Sequence, residues 1–510
     1  MLPYLRQDRD PSKKYVVAFR GLNLGEAYQE GELSECKNLS SALAPCLTQR
    51  FAREEVGRYA APSSLHAKEG LMVVDGSRVL HNGTQVGTVT PGRKQMATVG
   101  NYVVIFPDKA YYNVETKEFG SLEASYTAKG LSFTASTITT TGEDWPFRKG
   151  DAVTISGCSE AKNNQTIIVR GVAGKVLTFY DNSFAIPEGQ DSLTENGSVR
   201  LSRDIPDLDF ICSSNYRLWG TKGNTIYGCA YGDPTNFQVF DGLSGDSYYI
   251  DVSTDGEFTG CVAYASHICF FKEHTMHKLY GSKPANFQIL TSQVYGVQEG
   301  CERSICTINE MVYYKGIHGI YAYNGGIPEL VSDCFGPVRF TDACATTDGE
   351  RYYVSMKRDG QWGLYTFDVS RGVWLQEDSL GCVDMAFHDG HVYLLAEEGG
   401  LYKTDSEADR SEIEWSATLC PFNEVYNERK VYSRFHLRLD LDEGAWIQVE
   451  VRRDKGLKWH QVYTGHNHRA RTLTVPIMPE RCDSVEIRIS GKGGCLLRTL
   501  VREFSVGSDV

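Results

Sequence analysis

The strongest constraint on this sequence is a phrase that it uses twice. Gly232-Asp-Pro-Thr-Asn-Phe-Gln-Val-Phe240 returns as Gly281-Ser-Lys-Pro-Ala-Asn-Phe-Gln-Ile-Leu290, with Pro234 and Pro284 separated by 50 residues. In each copy a proline-led turn delivers Asn236-Phe237 or Asn286-Phe287, then Gln and an apolar pair. Self-similarity at a period of ~20–50 residues marks solenoids, propellers and arrays. A chain with such a period is expected to be mostly one repeated unit.

A second mark extends the first. An apolar residue followed by Tyr recurs at Tyr227, Tyr280, Tyr321, Tyr365 and Tyr402, at intervals of 53, 41, 44 and 37 residues. Gly316-Ile-His-Gly-Ile-Tyr-Ala-Tyr-Asn-Gly325 and Gly360-Gln-Trp-Gly-Leu-Tyr-Thr-Phe-Asp368 show the turn glycines and period-2 alternation of hairpins. Another strand pair precedes each hairpin, as in His388-Asp-Gly-His-Val-Tyr-Leu-Leu395. Four short strands in roughly 40 residues is the size of a propeller blade.

The same grammar at Gly70–Gly83 and Thr98–Asn113 brings the count to about seven blades, although six or eight also fit. The expectation is an all-β chain: a β-propeller with an inserted small β-barrel or sandwich and a C-terminal β-sandwich. An N-terminal lead-in and closing segment spans 1–63, and the first blades span 64–127. The insert spans 128–202, the remaining blades 203–420 and the sandwich 421–510. Glu32–Ala44, stopped by Pro45, reads as the one helical stretch. An early strand could close the propeller by pairing with the last blade.

Composition supports the class, with 29 Tyr, 22 Phe and 50 Gly punctuating short alternating segments. The net charge of −13 argues against a general nucleic-acid or anionic-membrane binder. From Asn423 onward 15 Lys+Arg face 12 Asp+Glu, so the tail is about +3 and the rest roughly −16. No run approaches ~18 apolar residues, so no membrane insertion is expected. The opening residues lack an apolar signal-peptide stretch, and the 15 cysteines have no Cys-x-x-Cys pair. They read as reduced, mostly buried small hydrophobes made in a cytoplasm.

No constellation points to catalysis. His267, His274 and His277 lie close together, and His466-Asn-His468 sits in a tail loop, but neither set has metal-ligand spacing. There is no Gly-x-Ser-x-Gly elbow and no phosphate-binding Gly-x-x-x-x-Gly-Lys-Ser/Thr loop. A hydrolytic carboxylate dyad among 65 Asp+Glu stays open. The expectation is no catalytic residue, no cofactor and no metal. Trp219, Tyr227, Pro234, Asn236, Phe237, Tyr280, Pro284, Asn286, Phe287, Tyr321, Tyr365 and Tyr402 are structural repeat marks. Phe237 and Phe287 would pack between blades while Asn236 and Asn286 close turns. A repeated contact loop for a neighbouring subunit is the alternative reading.

Two stretches resemble a family. One is Phe19-Arg-Gly-Leu-Asn-Leu-Gly25 with Cys36-Lys-Asn-Leu-Ser40 and Pro45-Cys-Leu-Thr-Gln-Arg50. The other is Arg217-Leu-Trp219, Ile226-Tyr227, Gly232, Pro234 and Asn236-Phe237. Together they resemble β-propeller tail proteins of double-stranded DNA bacteriophages, the nozzle or stabilisation ring of short-tailed phages. Cys229 stands where that family's phrase usually has Ser, and the resemblance covers about the first 420 residues. It implies a virion structural protein made in the host cytoplasm and assembled as a homo-hexamer below portal and adaptor. Double-stranded DNA would pass its channel without specific binding. A receptor- or glycan-binding tail-tip protein, stacking sugars on residues such as Trp362 or Trp459, and a propeller glycosidase are the rival expectations.

Overall fold

The computed structural model describes residues 11–405, 408–424, 427–466 and 472–506. The opening decapeptide and the Asn467-His468 pair singled out in the sequence therefore lie outside the described residues. The chain is all-β and belongs to the β-propeller class, with four single-turn 3-10 helices as its only helical elements among those residues. Among the described residues no helix is long and apolar enough to cross a membrane.

Two compact units divide the chain, residues 60–302 and residues 1–59 with 303–510. The first holds four four-stranded antiparallel sheets, spanning 62–88, 95–121, 210–251 and 260–293. Each runs its strands in sequence order, as a blade does. Tyr102–Phe106, the second strand of its blade, is apolar on both faces because neighbouring blades cover both.

The second unit holds three more such sheets, spanning 306–330, 340–378 and 382–405. The last has only three strands of its own, and Ala52–Arg58 adds the fourth by pairing antiparallel with Gly400–Asp405. An early strand thus pairs with the last blade, but it is Ala52–Arg58 and not the Val16–Gly25 stretch. All five apolar–Tyr marks fall on third strands of their blades. Ile226, Leu279, Ile320, Leu364 and Leu401 are buried between layers, and the following tyrosines point to the opposite face.

Residues 124–203 form the inserted domain between the second and third blades. A four-stranded and a five-stranded sheet enclose Phe133, Trp145, Phe147, Ile155, Leu177 and Phe184. The domain's first hairpin is two short strands, Leu131–Phe133 and Thr137–Thr139. The Thr134 hydroxyl bonds both the Thr137 hydroxyl and its N–H and turns the chain back.

The terminal β-sandwich is built from both ends of the chain. Its sheets have seven and six strands, and residues 12–49 supply strands to each. It therefore reaches beyond 421–510 to include strands from residues 12–49 and Glu414–Leu419. Glu32–Ala44 is not a helix. Glu32–Lys37 is a strand paired with Glu414–Leu419, and a register shift between Leu33 and Glu35 turns both Leu33 and Cys36 into the core. The i, i+3 spacing that suggests a helix is here the spacing across a bulge.

Candidate interaction sites on the third and fourth blades

Arg217-Leu-Trp219 opens the second strand of the third blade. Arg217 is almost wholly buried, and its guanidinium donates to the carbonyls of Cys229 (2.5 Å), Asp246 (2.6 Å) and Ser244 (2.9 Å). A buried cation is tolerated only when its donors are satisfied, and here they cinch the loop 229–247 onto the blade. Trp219 meets Phe287 edge-on at 5.3 Å, and Tyr248 closes the cluster at 4.9 Å from Phe287. Phe237 lies instead in the cluster shared by the second and third blades. Both phenylalanines thus pack between blades, on opposite sides of the third.

The two asparagines do different work. Asn286 accepts the N–H groups of Ser282 and Lys283, both at 3.0 Å, and so closes its own turn. In the first copy Asp233, which replaces Lys283, takes that task by accepting the Thr235 N–H. Asn236 still ties its own turn by donating to Asp233 at 2.5 Å, and it also reaches the inserted domain. Its Oδ1 accepts the Ala152 N–H at 3.1 Å, and its Nδ2 donates to Asp151 at 3.3 Å.

The rest of the first phrase follows the same rail. Arg148 donates to Thr235, Thr154 to Gln238, and Arg170 pairs with Asp241 at 2.5 Å. Asp151 is also held by Arg203 in a buried pair at 2.6 Å, and Arg203 reaches back to the Leu122 carbonyl. Pro234 leads the rail and Pro284 starts a 3-10 turn, each setting the backbone where its phrase begins.

A small cavity of about 80 Å³ lies between the third and fourth blades. Asn215, Arg217, Trp219, Ser266, His267 and Phe287 line it. Burial, with the nearby Lys278 charge, pushes His267 down to about 4, so its ring is neutral at ordinary pH. The indole N–H of Trp219 is buried and has no acceptor among the described residues. Beside the cavity, Asn215 and Tyr216 form the two-residue turn of the first hairpin, with φ of +50° and +57°. Asp389–Gly390, in the equivalent turn of the seventh blade, places glycine where the third blade has Tyr216. A bulky residue there costs roughly 1–2 kcal/mol. The residue is nonetheless 66% exposed, and its ring sits 5.8 Å from that of the also exposed Tyr231. Neither tyrosine is among the repeat marks of the sequence. The signal was an Asn-Tyr pair where a hairpin usually writes Asn-Gly.

The remaining constellations resolve into separate contacts. His277 lies between the Thr254 and Thr291 hydroxyls, His267 stacks on Tyr264 and Tyr280, and His274 is exposed. No group of metal-ligating side chains exists among the described residues. The cysteines are free thiols, mostly buried, and burial pushes Cys36 up to about 12. Trp362 donates to Glu397 with Lys357 over its ring, while Arg452 and Arg488 both lie on the Trp459 ring. Those rings are already covered. Buried carboxylates are likewise occupied, Glu377 by Arg53, Asp368 by Arg371, Glu424 by Arg502 and Glu486 by Arg452.

No protein-family model and no curated protein matches the chain. Among solved structures, the phage phi92 endosialidase is similar at 12% identity and a TM-score of 0.28, covering 73% of each chain. Kluyveromyces lactis Hsv2p aligns at 11% identity and a TM-score of 0.31, over 72% of this chain and 94% of its own. An exo-β-1,3-galactanase from Phanerochaete chrysosporium aligns at 9% and 0.22, over 56% and 92%. At such values the likenesses carry no argument about activity, and the fold class stands on the seven blade-like sheets themselves.

Proposed function

We propose that the chain is a non-enzymatic structural subunit of the tail of a double-stranded DNA bacteriophage, a nozzle or hub protein below portal and adaptor. The observation that carries this reading is the fate of the residues on which the family resemblance rests. The Arg217 guanidinium, the Trp219 ring, Asn236 and Phe237 all clamp the third blade to its loop, its neighbours and the inserted domain. A segment built for rigidity suits a ring subunit. The acidic balance agrees, since a wall poor in cations gives phosphates nothing to bind.

In this reading the protein is a homo-hexamer in the virion, and DNA passes it without specific contacts. Closed rings of identical subunits need heterologous surfaces, and the insert and sandwich offer two different ones. Negative-stain electron microscopy of the recombinant protein at rising concentration tests the proposal. Six-fold rings are expected, and antibody labelling should find the chain at the tail of phage particles. A protein that stays monomeric and is missing from virions would end the proposal.

A further inference from the structure

The cavity between the third and fourth blades and the tyrosine pair beside it have chemistry that a scaffold does not use. The side chains lining the cavity include hydroxyl, amide and indole donors but no carboxylate. Its one cation, Arg217, is fully engaged with three carbonyls. The donors left to a ligand are therefore neutral polar groups, since the N–H groups of Arg217 are taken by carbonyls, and the buried Trp219 N–H lacks an acceptor among the described residues. A volume of about 80 Å³ equals two or three waters, room for a substituent rather than a whole ring.

Outside, Tyr216 stands between two cavity-lining residues, Asn215 and Arg217. Tyr216 and Tyr231 are both exposed residues whose rings are inclined at 57°, with the Arg217 guanidinium 5.9 Å from the Tyr231 ring. Tyr216 holds this position in a left-handed backbone conformation that favours glycine. The side chain does not repay that conformation by burial, since the residue is largely exposed, while its backbone carbonyl accepts the Gly232 N–H at 2.8 Å. Aromatic faces stack on the apolar C–H face of a pyranose, and neutral donors meet its hydroxyls.

We propose that Tyr216, Tyr231 and the adjoining cavity form a binding site for a neutral glycan. The pyranose ring stacks on the tyrosines, and one hydroxymethyl or acetamido substituent enters the cavity toward Trp219 and Asn215. The site is independent of ring assembly, since it lies wholly within residues 60–302.

Saturation-transfer NMR on the full chain tests it. The probes are the methyl pyranosides of glucose, galactose, mannose and N-acetylglucosamine, with glucuronate and inorganic phosphate as anionic comparators. Transfer to at least one neutral pyranoside is expected, with little to either anion. Tyr216→Asn should weaken that binding at least ten-fold while leaving Tm equal or higher, since Asn accepts the left-handed turn. Trp219→Phe should weaken it while keeping an aromatic ring in the interblade cluster. Absence of transfer to all four glycosides overturns the proposal, as does preference for the anions. Unchanged binding in Tyr216→Asn also overturns it. So does concentration-dependent self-association that Tyr216→Asn abolishes without any glycoside binding, which would make the tyrosines a contact between copies.

Discussion

Asn236 and Asp151, 85 residues apart, meet in one buried hydrogen bond that joins the first repeated phrase to the inserted domain. The same asparagine accepts the N–H of Ala152, so a single amide serves both a side chain and a backbone group of the insert. Its counterpart Asn286 bonds only its own turn and is exposed.

Asn236→Ala is therefore expected to cost more than Asn286→Ala. It strands the buried Ala152 N–H and one Asp151 oxygen, a penalty of about 1–3 kcal/mol, whereas water can replace the exposed bonds of Asn286 at well under ~1 kcal/mol. Chemical denaturation of both variants gives the comparison. Hydrogen exchange should show the Asn236 variant loosening residues 124–203 first. Equal costs would mean that the rail does not hold the insert.

The phenylalanines of the two phrases should also part company. Phe237 is 4% exposed inside a full interblade cluster, while Phe287 is only partly buried against Trp219 and Tyr248. Phe237→Ala should cost ~3–5 kcal/mol and Phe287→Ala distinctly less. Gly228→Ala adds a third check, because a Cβ there would lie 2.7 Å from the Trp219 ring. Overpacking of that kind costs about 1–3 kcal/mol, and near-UV circular dichroism should report a displaced tryptophan.

These contrasts show how far the sequence could be read. The blade period was legible because an apolar residue followed by Tyr must put one side chain into an interblade layer and the next on the other face, whatever the loops do. The phrase itself was legible as turn and packing chemistry. The different duties of Asn236 and Asn286 were not, since they hang on a remote segment and on Asp233 standing where Lys283 stands. The strand Glu32–Lys37 was hidden for a related reason. Its bulge disguises period 2 as helical spacing, and only its partner Glu414–Leu419 reveals it. Tyr216 breaks the rule for its turn, and local propensity offers no reason for a residue that the fold itself does not need.

In the sandwich, acid should loosen the tie between the two chain ends. Burial opposes ionisation of Glu424, but Arg502 at 2.5 Å and Lys14 at 3.0 Å outweigh it and hold its carboxyl below the usual range. A carboxylate with a depressed folded pKa stabilises above its unfolded value, and that stability is lost as pH falls through the folded one. Protection of Lys430–Leu441 and Cys495–Val506 from hydrogen exchange should accordingly decline as pH drops below the ordinary carboxylate range. Glu424→Gln should flatten this dependence. It should also cost on the order of 3–5 kcal/mol at neutral pH, because Arg502 stays buried with only Glu30 as its partner.

The fourth blade should respond at a different pH. His277 is 1% exposed, and burial, with Lys272 nearby, pushes it from the usual imidazole value down to about 4. Between those values the unfolded chain binds a proton that the folded chain refuses. Folding stability is therefore complete above about 6.5 and falls as pH drops toward about 4, by on the order of 1–3 kcal/mol. The neutral ring bridges Thr254 and Thr291 through both nitrogens, each at 2.9 Å. His277→Gln can keep one of those bonds but cannot titrate. Exchange rates in Thr275–Tyr280 and Gln288–Gln293 should then lose their rise between pH 6.5 and 4, at the price of a lower neutral-pH stability. A wild-type blade whose protection is flat across that interval would show that His277 titrates normally and that its burial is not maintained in solution.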